Sequence, residues 1–278
     1  MDKLLWNLFK ETGDIKYYIM YNKLKEKKWY YLKIIEVEGI VLTSTNYSES
    51  SKIINVLTKE KGVIGIMAKG CRKPKSKLHS VSNKLVHGKF NIYYKENALS
   101  TLISVDLINS YSNILKSLTN ISYASLIIDL INQVSKENND KSLFSLTENA
   151  LSKIDEGYNP LVITNILELK CLEYLGVMPN LDECALCGSK KDIITIDASR
   201  GGYICRNCHT NEKMVSEKTV KLLRMYYYVD IKKITKLDVK DSVERDINDF
   251  LEDYYDRYTG IYLKSKNFMK QVNKLDNK

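Results

Sequence analysis

The spacing of apolar and polar positions changes period twice along the chain. In residues 1–34, Leu4, Leu5, Leu8 and Phe9 form one short apolar face, Thr12-Gly13-Asp14 breaks it, and helical spacing resumes from Ile15 to Trp29. This predicts an appended helical unit. From Glu36 the period is that of strands. Val37–Thr43 is rich in β-branched residues with Gly39 as a candidate bulge, Tyr47-Ser-Glu-Ser50 is turn-like, and Ser51–Thr58 is a second strand. Lys59-Glu-Lys-Gly62 is a hairpin loop into Val63–Ala68, and Leu85–Tyr94 pairs with Leu99–Asn109 across Lys95-Glu-Asn-Ala98. Five short strands fit a small closed or half-closed barrel, of which the OB type is the commonest, although strand count alone does not single it out.

After Ser110 the period becomes helical. Ile121, Ala124, Ile127, Ile128, Ile131 and Val134 share one face, as do Leu143, Leu146, Ala150, Leu151 and Ile154. The next helix is clearly punctuated, with Asn159 as N-cap, Pro160 at N1, Gly176 past the end and Pro179 soon after. Leu161–Leu175 is apolar on most sides and reads as the central helix of a bundle, with Cys171 as inert core. Further on, Ser216 caps a helix with Val220, Leu223 and Tyr227 inward. A last long helix carries Val243, Ile247, Phe250, Leu251, Tyr254 and Tyr258 until Gly260, and the basic tail after Leu263 is expected to fray. The predicted fold class is α+β multidomain: an appended helical unit at 1–34, an OB-type β-barrel at 35–110, and an α-helical bundle at 111–278 with a four-cysteine module inserted at 182–210.

That insertion holds the sharpest chemical signal. Cys184-Ala-Leu-Cys187 and Cys205-Arg-Asn-Cys208 are separated by seventeen residues, with glycines at 188, 201 and 202 where knuckle turns need them. Four thiolates in two such pairs are the tetrahedral set that one structural Zn²⁺ takes, and a closed shell leaves no position for a catalytic water. The rivals are weaker. Two disulfides need an oxidising compartment, and a redox pair needs a βαβ context that neither knuckle has. Cys205–His209 formally matches a c-type haem attachment motif but leaves Cys184 and Cys187 unexplained, and His209 replacing one sulfur is a variant of the zinc site.

Composition adds little until charge is mapped. The 278 residues are 44% hydrophobic and 28% charged, the profile of an ordinary globular protein. The apolar runs are too short for a membrane span and the N-terminus too interrupted for a signal peptide, so a cytoplasmic location with reduced cysteines is expected. The formal charge is +9, and residues 36–100 alone hold eleven Lys or Arg against five Glu, a net +6. Lys69, Arg72, Lys73, Lys75, Lys77 and Lys84 follow one another with no acid between them. Pro74 is expected to keep that run extended, and Gly70 with Ser76, Ser80 and Ser82 to keep it mobile. Such a run is either a solvated charge stretch or a ligand for phosphate backbones; its concentration on the strand region favours the latter, with Lys52 as a further contact. Tyr47, Phe90, Tyr93 and Tyr94 are candidate stacking platforms, of which strand alternation must turn at least two inward. Cys71, set among these cations, is expected to ionise and oxidise readily, and His79 and His87 to be structural or solvated. Residues 1–34, with eight Lys and four acids, read as a solvated packing unit or, alternatively, a docking or DNA-contacting one.

From about Val37 to Met269 the chain resembles the RecO recombination-mediator family. The resemblance is carried by Gly39-Ile-Val-Leu with Tyr47-Ser-Glu-Ser-Ser-Lys-Ile-Ile54, by Leu57–Gly62, and by Ala68-Lys-Gly-Cys-Arg-Lys-Pro-Lys-Ser76. Ser122-Tyr-Ala124, Tyr174-Leu-Gly-Val-Met-Pro-Asn-Leu-Asp-Glu-Cys-Ala-Leu-Cys-Gly188 and Leu263–Phe268 continue it. It implies an OB-fold, a helical bundle and a zinc module. It further implies binding of single- and double-stranded DNA, annealing of complementary strands, and loading of RecA together with RecR and the single-stranded DNA-binding protein. Cys71 stands where the family more often has a small residue other than cysteine, and residues 1–34 precede the usual family start. The expectation is a non-enzymatic, nucleoid-associated DNA repair protein; the chain lacks a P-loop, a His-x-Glu pairing and a Gly-x-Ser-x-Gly elbow. An RNA-binding or translation-associated barrel with a structural zinc module is the alternative.

Overall fold

A computed structural model describes residues 2–29, 33–236 and 238–276. Residues 33–109 form a mixed five-stranded sheet of β1 (Lys33–Tyr47), β2 (Ser51–Thr58), β3 (Gly62–Ala68), β4 (His87–Tyr94) and β5 (Ser100–Asn109). β1 is longer than its apolar stretch predicts because it serves two neighbours, pairing with β4 through its first half and β2 through its second. β4 continues to β5, and a short parallel contact of Ile66 and Met67 with Ser100 and Thr101 joins β5 to β3. The pairings therefore run β1-β2-β3-β5-β4 and return to β1, closing the sheet on itself.

Where β1 passes from one partner to the other lies Gly39, opposite both Thr58 and Gly88. A Cβ there would meet Val56 Cγ1 at 2.5 Å and the Leu57 carbonyl at 2.9 Å, so this glycine permits close strand approach. It is not the bulge: the register slips between Val41 and Thr43. Strand alternation sends Val37, Val41, Ile54, Val56, Ile66 and Phe90 to the interior of the closed sheet, and Ile40, Leu42 and Leu57 to the helices behind it.

Those helices are α3 (Leu118–Glu137), α4 (Ser142–Asp155), α5 (Pro160–Tyr174), α6 (Glu217–Tyr228), α7 (Asp241–Tyr258) and α8 (Lys264–Asp276). α5 is central, buried on most faces, and capped as its sequence predicts, with Asn159 Oδ1 accepting from the N–H groups of Leu161 and Val162. Ser216 caps α6 by accepting from the Thr219 N–H. Two expectations for the bundle fail and a third is half met, since Tyr227 packs against the core only partly buried. Tyr226, not Tyr227, is the fully buried tyrosine of α6, because position 226 continues the Leu223 face. Tyr258 is 41% exposed at the end of α7, and its neighbour Tyr255 is buried instead. The basic tail does not fray: it forms α8, buries Met269 and Val272 against the bundle, and has Asn273 Nδ2 donating to the Tyr123 hydroxyl of α3 at 3.0 Å.

Ahead of the sheet, α1 (Asp2–Thr12) and α2 (Ile15–Trp29) turn on Gly13 (φ +66°) and pack on each other through Trp6, Phe9, Tyr18 and Tyr21, with Leu4 exposed. The last residues of the expected 1–34 unit, 30–32, fall outside the described residues. Among the described residues no helix is long and apolar enough to cross a membrane.

Candidate metal centre and nucleic-acid interface

The four-cysteine module leaves the bundle after α5 and folds around a two-stranded hairpin, β6 (Ile193–Asp197) and β7 (Gly202–Cys205). Asn180 organises its entrance. Its backbone N–H donates to Gly201 O at 2.9 Å, its carbonyl accepts from Tyr203 N–H at 3.0 Å, and its Oδ1 accepts from the N–H groups of Asp182 and Glu183. Each Cys-x-x-Cys pair then makes a tight turn. Gly188, at φ +72°, donates its N–H to Cys184 O, and the N–H groups of Cys208 and His209 donate to Cys205 O. The module is tied back to the bundle where the Tyr203 hydroxyl donates to Val220 O at 2.6 Å and Arg224 meets Asp182 at 2.9 Å.

These turns bring Cys184, Cys187, Cys205 and Cys208 together, with all four sulfurs within 4.8 Å of one another. Cys187 and Cys205 Sγ are 3.6 Å apart, far beyond a disulfide bond of about 2.05 Å. A tetrahedron with metal–sulfur bonds of about 2.3 Å has edges of about 3.8 Å, so the spacing fits a four-sulfur ion site. The electrostatics point the same way. Burial raises the Cys184 pKa, but backbone N–H groups of Cys205, Leu186 and Cys187 outweigh it and bring the thiol down to about 6. Cys208, beside the sulfurs of Cys187 and Cys205, is pushed up to about 12. Four adjacent thiols cannot all ionise without a cation to take the charge, and a divalent ion supplies it. His209 is not part of this set: its Nε2 lies 3.1 Å from the Glu212 carbonyl.

The basic segment lies between β3 and β4. It is neither extended nor loose. Successive turns hold it, with Lys73 N–H donating to Gly70 O, Ser76 N–H to Lys73 O and His79 N–H to Ser76 O, followed by a single 3₁₀ turn at Ser80–Ser82. Arg72 N–H donates to Ser50 O at 2.9 Å and Arg72 Nη1 to Ser48 O, so the segment rests on the β1–β2 turn. The reason is Cys71. It is fully buried in the sheet interior, with His79 Nδ1 3.2 Å from its carbonyl, and it anchors the segment in place of the exposed, oxidation-prone thiol that its cationic neighbours suggest.

Lys69, Arg72, Lys73, Lys75 and Lys77 are exposed, and among the described residues none of them forms an ion pair. Lys84 differs, since its Nζ lies 3.3 Å from Asp129 of α3. Lys52 is half-buried and donates to Asn83 Oδ1 at 2.8 Å. Of the candidate platforms, Phe90 is buried and Tyr94 half-buried with Lys61 over its ring at 4.5 Å, whereas Tyr47 and Tyr93 are exposed. Tyr47 adjoins Ser48, the residue that Arg72 grips, and so lies at the foot of the basic segment. Sequence reasoning missed the network joining sheet to bundle. His87, buried, meets Glu38 Oε1 at 3.2 Å and the Tyr111 hydroxyl at 3.4 Å, with Phe144 edge-on. Nothing in the spacing of residues 38, 87 and 111 announces it.

Comparison with known proteins bears on both sites. Residues 32–111 match the family described as Recombination protein O N terminal, and residues 115–267 the family described as Recombination protein O C terminal. The DNA repair protein RecO of Listeria monocytogenes serotype 4a (strain HCC23) is 34% identical over 244 residues, covering 86% of this chain and 95% of its own length. Proteins of the same name from Bacillus pumilus (35% over 243 residues) and Bacillus cytotoxicus (36% over 243 residues) cover 86% of this chain and 94% and 98% of their own lengths. α1 and α2 precede both matched regions.

Proposed function

The chain belongs to the RecO family of DNA repair and recombination proteins, and from that premise we propose that it is a non-enzymatic mediator that binds single- and double-stranded DNA and anneals complementary strands. The closed sheet is read as an OB-type barrel, and the basic segment between β3 and β4 as its phosphate-backbone contact. The observation that carries this is the set of five exposed cations, Lys69, Arg72, Lys73, Lys75 and Lys77, none in an ion pair among the described residues, on a segment pinned to the barrel by Cys71 and by Arg72. Cations held on a fixed platform bind backbone without reading bases, which leaves the bases free to pair. Lys52 and Lys84 flank this set, and Tyr47 supplies an aromatic face beside it.

The four-cysteine site holds one structural Zn²⁺. Its sulfurs close the coordination shell, and the turns around Gly188 and Asn180 keep the inserted module folded against α6. The partners that fit an annealing mediator are RecR and the single-stranded DNA-binding protein, with loading of RecA as the outcome, in a cytoplasmic, nucleoid-associated setting. The deciding experiment is annealing of complementary strands coated with the cognate single-stranded DNA-binding protein, with and without RecR. Strands that pair no faster with the protein than without it would refute this reading.

A further inference from the structure

α1 and α2 lie ahead of the matched family regions and pack chiefly on each other. Helices of 11 and 15 residues are marginal by themselves and depend on burying an apolar face. Here that burial is incomplete. Trp6, Phe9, Tyr18 and Tyr21 meet between the helices, yet no side chain from Leu4 to Asn22 is buried. On the side of α2 away from Tyr18 and Tyr21 stand Lys16, Ile19 and Met20, with Ile15 at the edge of that face. All four are exposed, Ile15 by 65% and Met20 by 55%, so α1 does not cover them. The same helical row runs on through positions 23 and 27, both Lys in the sequence.

Charge and residue type say what covers this face. α2 holds five Lys against one Glu, and residues 1–34 hold eight Lys, no Arg and four acids, a net +4. The unit also contains both tryptophans of the chain, Trp6 and Trp29. Lysine stems lie along apolar surface while their heads stay wet, and tryptophan and tyrosine favour the boundary between hydrocarbon and water. A phosphodiester backbone would answer the lysines but leave Ile15, Ile19 and Met20 uncovered. A second copy of the chain would set +4 against +4. A groove on a partner protein reads anchors at i, i+3 or i+4 and i+7 of one helix, and beyond Ile15 and Ile19 the i+7 position is Asn22. The headgroup layer of a bilayer takes aliphatic and cationic groups together and imposes no such register.

We propose that the outer face of α2 is a docking surface for an anionic lipid bilayer, with Ile15, Ile19 and Met20 entering the headgroup layer and the lysines meeting lipid phosphates. Neither α1 nor α2 is long and apolar enough to cross a membrane, so the hairpin lies on the bilayer and the attachment is reversible. The face has no residue in common with the basic segment or the cysteine module. It therefore stands or falls separately from the DNA reading.

Because the chain has no tryptophan outside this unit, its Trp emission reports on the hairpin alone. The test mixes the full-length protein with vesicles of phosphatidylcholine and phosphatidylglycerol, with vesicles of phosphatidylcholine alone, and with single-stranded DNA. It reads co-sedimentation together with quenching of Trp emission by a spin-labelled lipid in the vesicles. The mixed vesicles should carry the protein down and quench it, and raised salt should reverse both. Phosphatidylcholine alone should bind about tenfold or more weakly, since each lysine near an anionic surface contributes about fivefold. Ile19→Glu with Met20→Glu should abolish co-sedimentation, and Lys16→Glu should weaken it on the order of tenfold. These positions are exposed, so thermal melts and DNA binding of the variants should match the parent. Charge reversal of Lys73, Lys75 and Lys77 should leave the quenching intact. No binding to the mixed vesicles, equal binding to phosphatidylcholine alone, or indifference to the Ile19 and Met20 changes overturns the bilayer surface. Co-sedimentation without quenching, or lost on reversal of Lys73, Lys75 and Lys77, overturns it by moving the contact to the basic segment. Trp emission that answers single-stranded DNA and not the mixed vesicles overturns it in favour of a nucleic-acid contact.

Discussion

The backbone N–H of Arg72 donates to the carbonyl of Ser50 at 2.9 Å, and this one bond fixes how the basic segment presents its charge. Together with buried Cys71 and with Gly70, whose N–H donates to Ser51 Oγ, it ties the segment's root to the β1–β2 turn. The lysines that follow extend from a platform, not from a slack loop. A cation on a platform loses less freedom when it meets a phosphate than one on a mobile chain.

Charge reversal of Lys73, Lys75 and Lys77 is therefore expected to weaken binding to all DNA sequences alike and to flatten its salt dependence. Five phosphate contacts on a single strand give a log–log slope of about −3.5, at about 0.7 per contact, and the triple variant should fall to about −1.5 or less. Lys84→Ala should change the slope far less, because Asp129 already neutralises that ammonium at 3.3 Å. Fluorescence anisotropy across a salt series measures both. An unchanged slope in the triple variant removes the segment from the interface.

Replacing Cys184 and Cys208 by Ser should release the metal, as read by elemental analysis of the purified protein, and lower the melting temperature. The ion's binding free energy is folding free energy for the module it closes. At about 2–4 °C per kcal/mol for a chain of this size, a loss of about 3 kcal/mol appears as a fall on the order of 10 °C. DNA affinity measured well below that melt should stay near the parent's, since the cations lie on a different module. A parallel collapse of affinity would make the cysteine module a contact surface.

Gly202→Ala tests how the module is joined to the bundle. Gly202 has φ +142°, a conformation that L side chains rarely adopt, and a Cβ there would run into the Asn180 backbone. Relief would require breaking the Asn180–Tyr203 bond of 3.0 Å that aligns β7. The cost is expected to be about 3 kcal/mol or more, the range of combined backbone strain and overpacking. Gly201→Ala is the control, with positive φ but nothing within 4 Å of its Cβ, and should cost less. Urea melts of both variants settle the order, and equal costs would place the strain elsewhere.

What could be read from the residues, and what could not, follows from the range of the interactions. The bounds of β2 and the start of α5 are written locally, in the alternation from Ser51 to Thr58 and in Asn159-Pro160, and the structure keeps both. The cysteine pairing is legible because the spacing itself limits the geometry. Burial of Cys71 was not legible, since it depends on β5 closing the sheet onto β3 through Ser100 and Thr101, and neighbouring charge pointed the other way. Tyr226, Tyr227 and Tyr228 are chemically identical, and only the register of α6 decides which is buried. In α8 the lysines at 264, 266 and 270 mask the stripe of Met269 and Val272. Lys84 meets its partner 45 residues away, a distance over which composition carries no information.

Glu168 gives the fold a dependence on pH that Glu168→Gln should remove. The residue sits on α5, 7% exposed, and burial raises its carboxyl pKa from 4.5 to about 7. Lys266 opposes this shift and Glu252 adds to it; the Lys266 ammonium lies 3.7 Å from Glu252 itself. An acid whose pKa is higher folded than unfolded keeps its proton longer in the native state. Below the ordinary value of 4.5 it is neutral in both states and has no effect. Stability then falls as pH climbs from 4.5 to about 7, and stays at the lower level above that. The whole step is about 3 kcal/mol, at about 1.4 kcal/mol per pKa unit. A buried amide at 168 adds a cost that does not vary with pH, so the quantity to follow for Glu168→Gln is the difference between variant and parent, from urea unfolding at a series of pH values. That difference should move in the variant's favour by about 3 kcal/mol between pH 4.5 and pH 8. Curves that stay parallel across this window would mean that the Glu168 carboxylate is compensated when ionised, and that the pH response of the bundle arises from other groups.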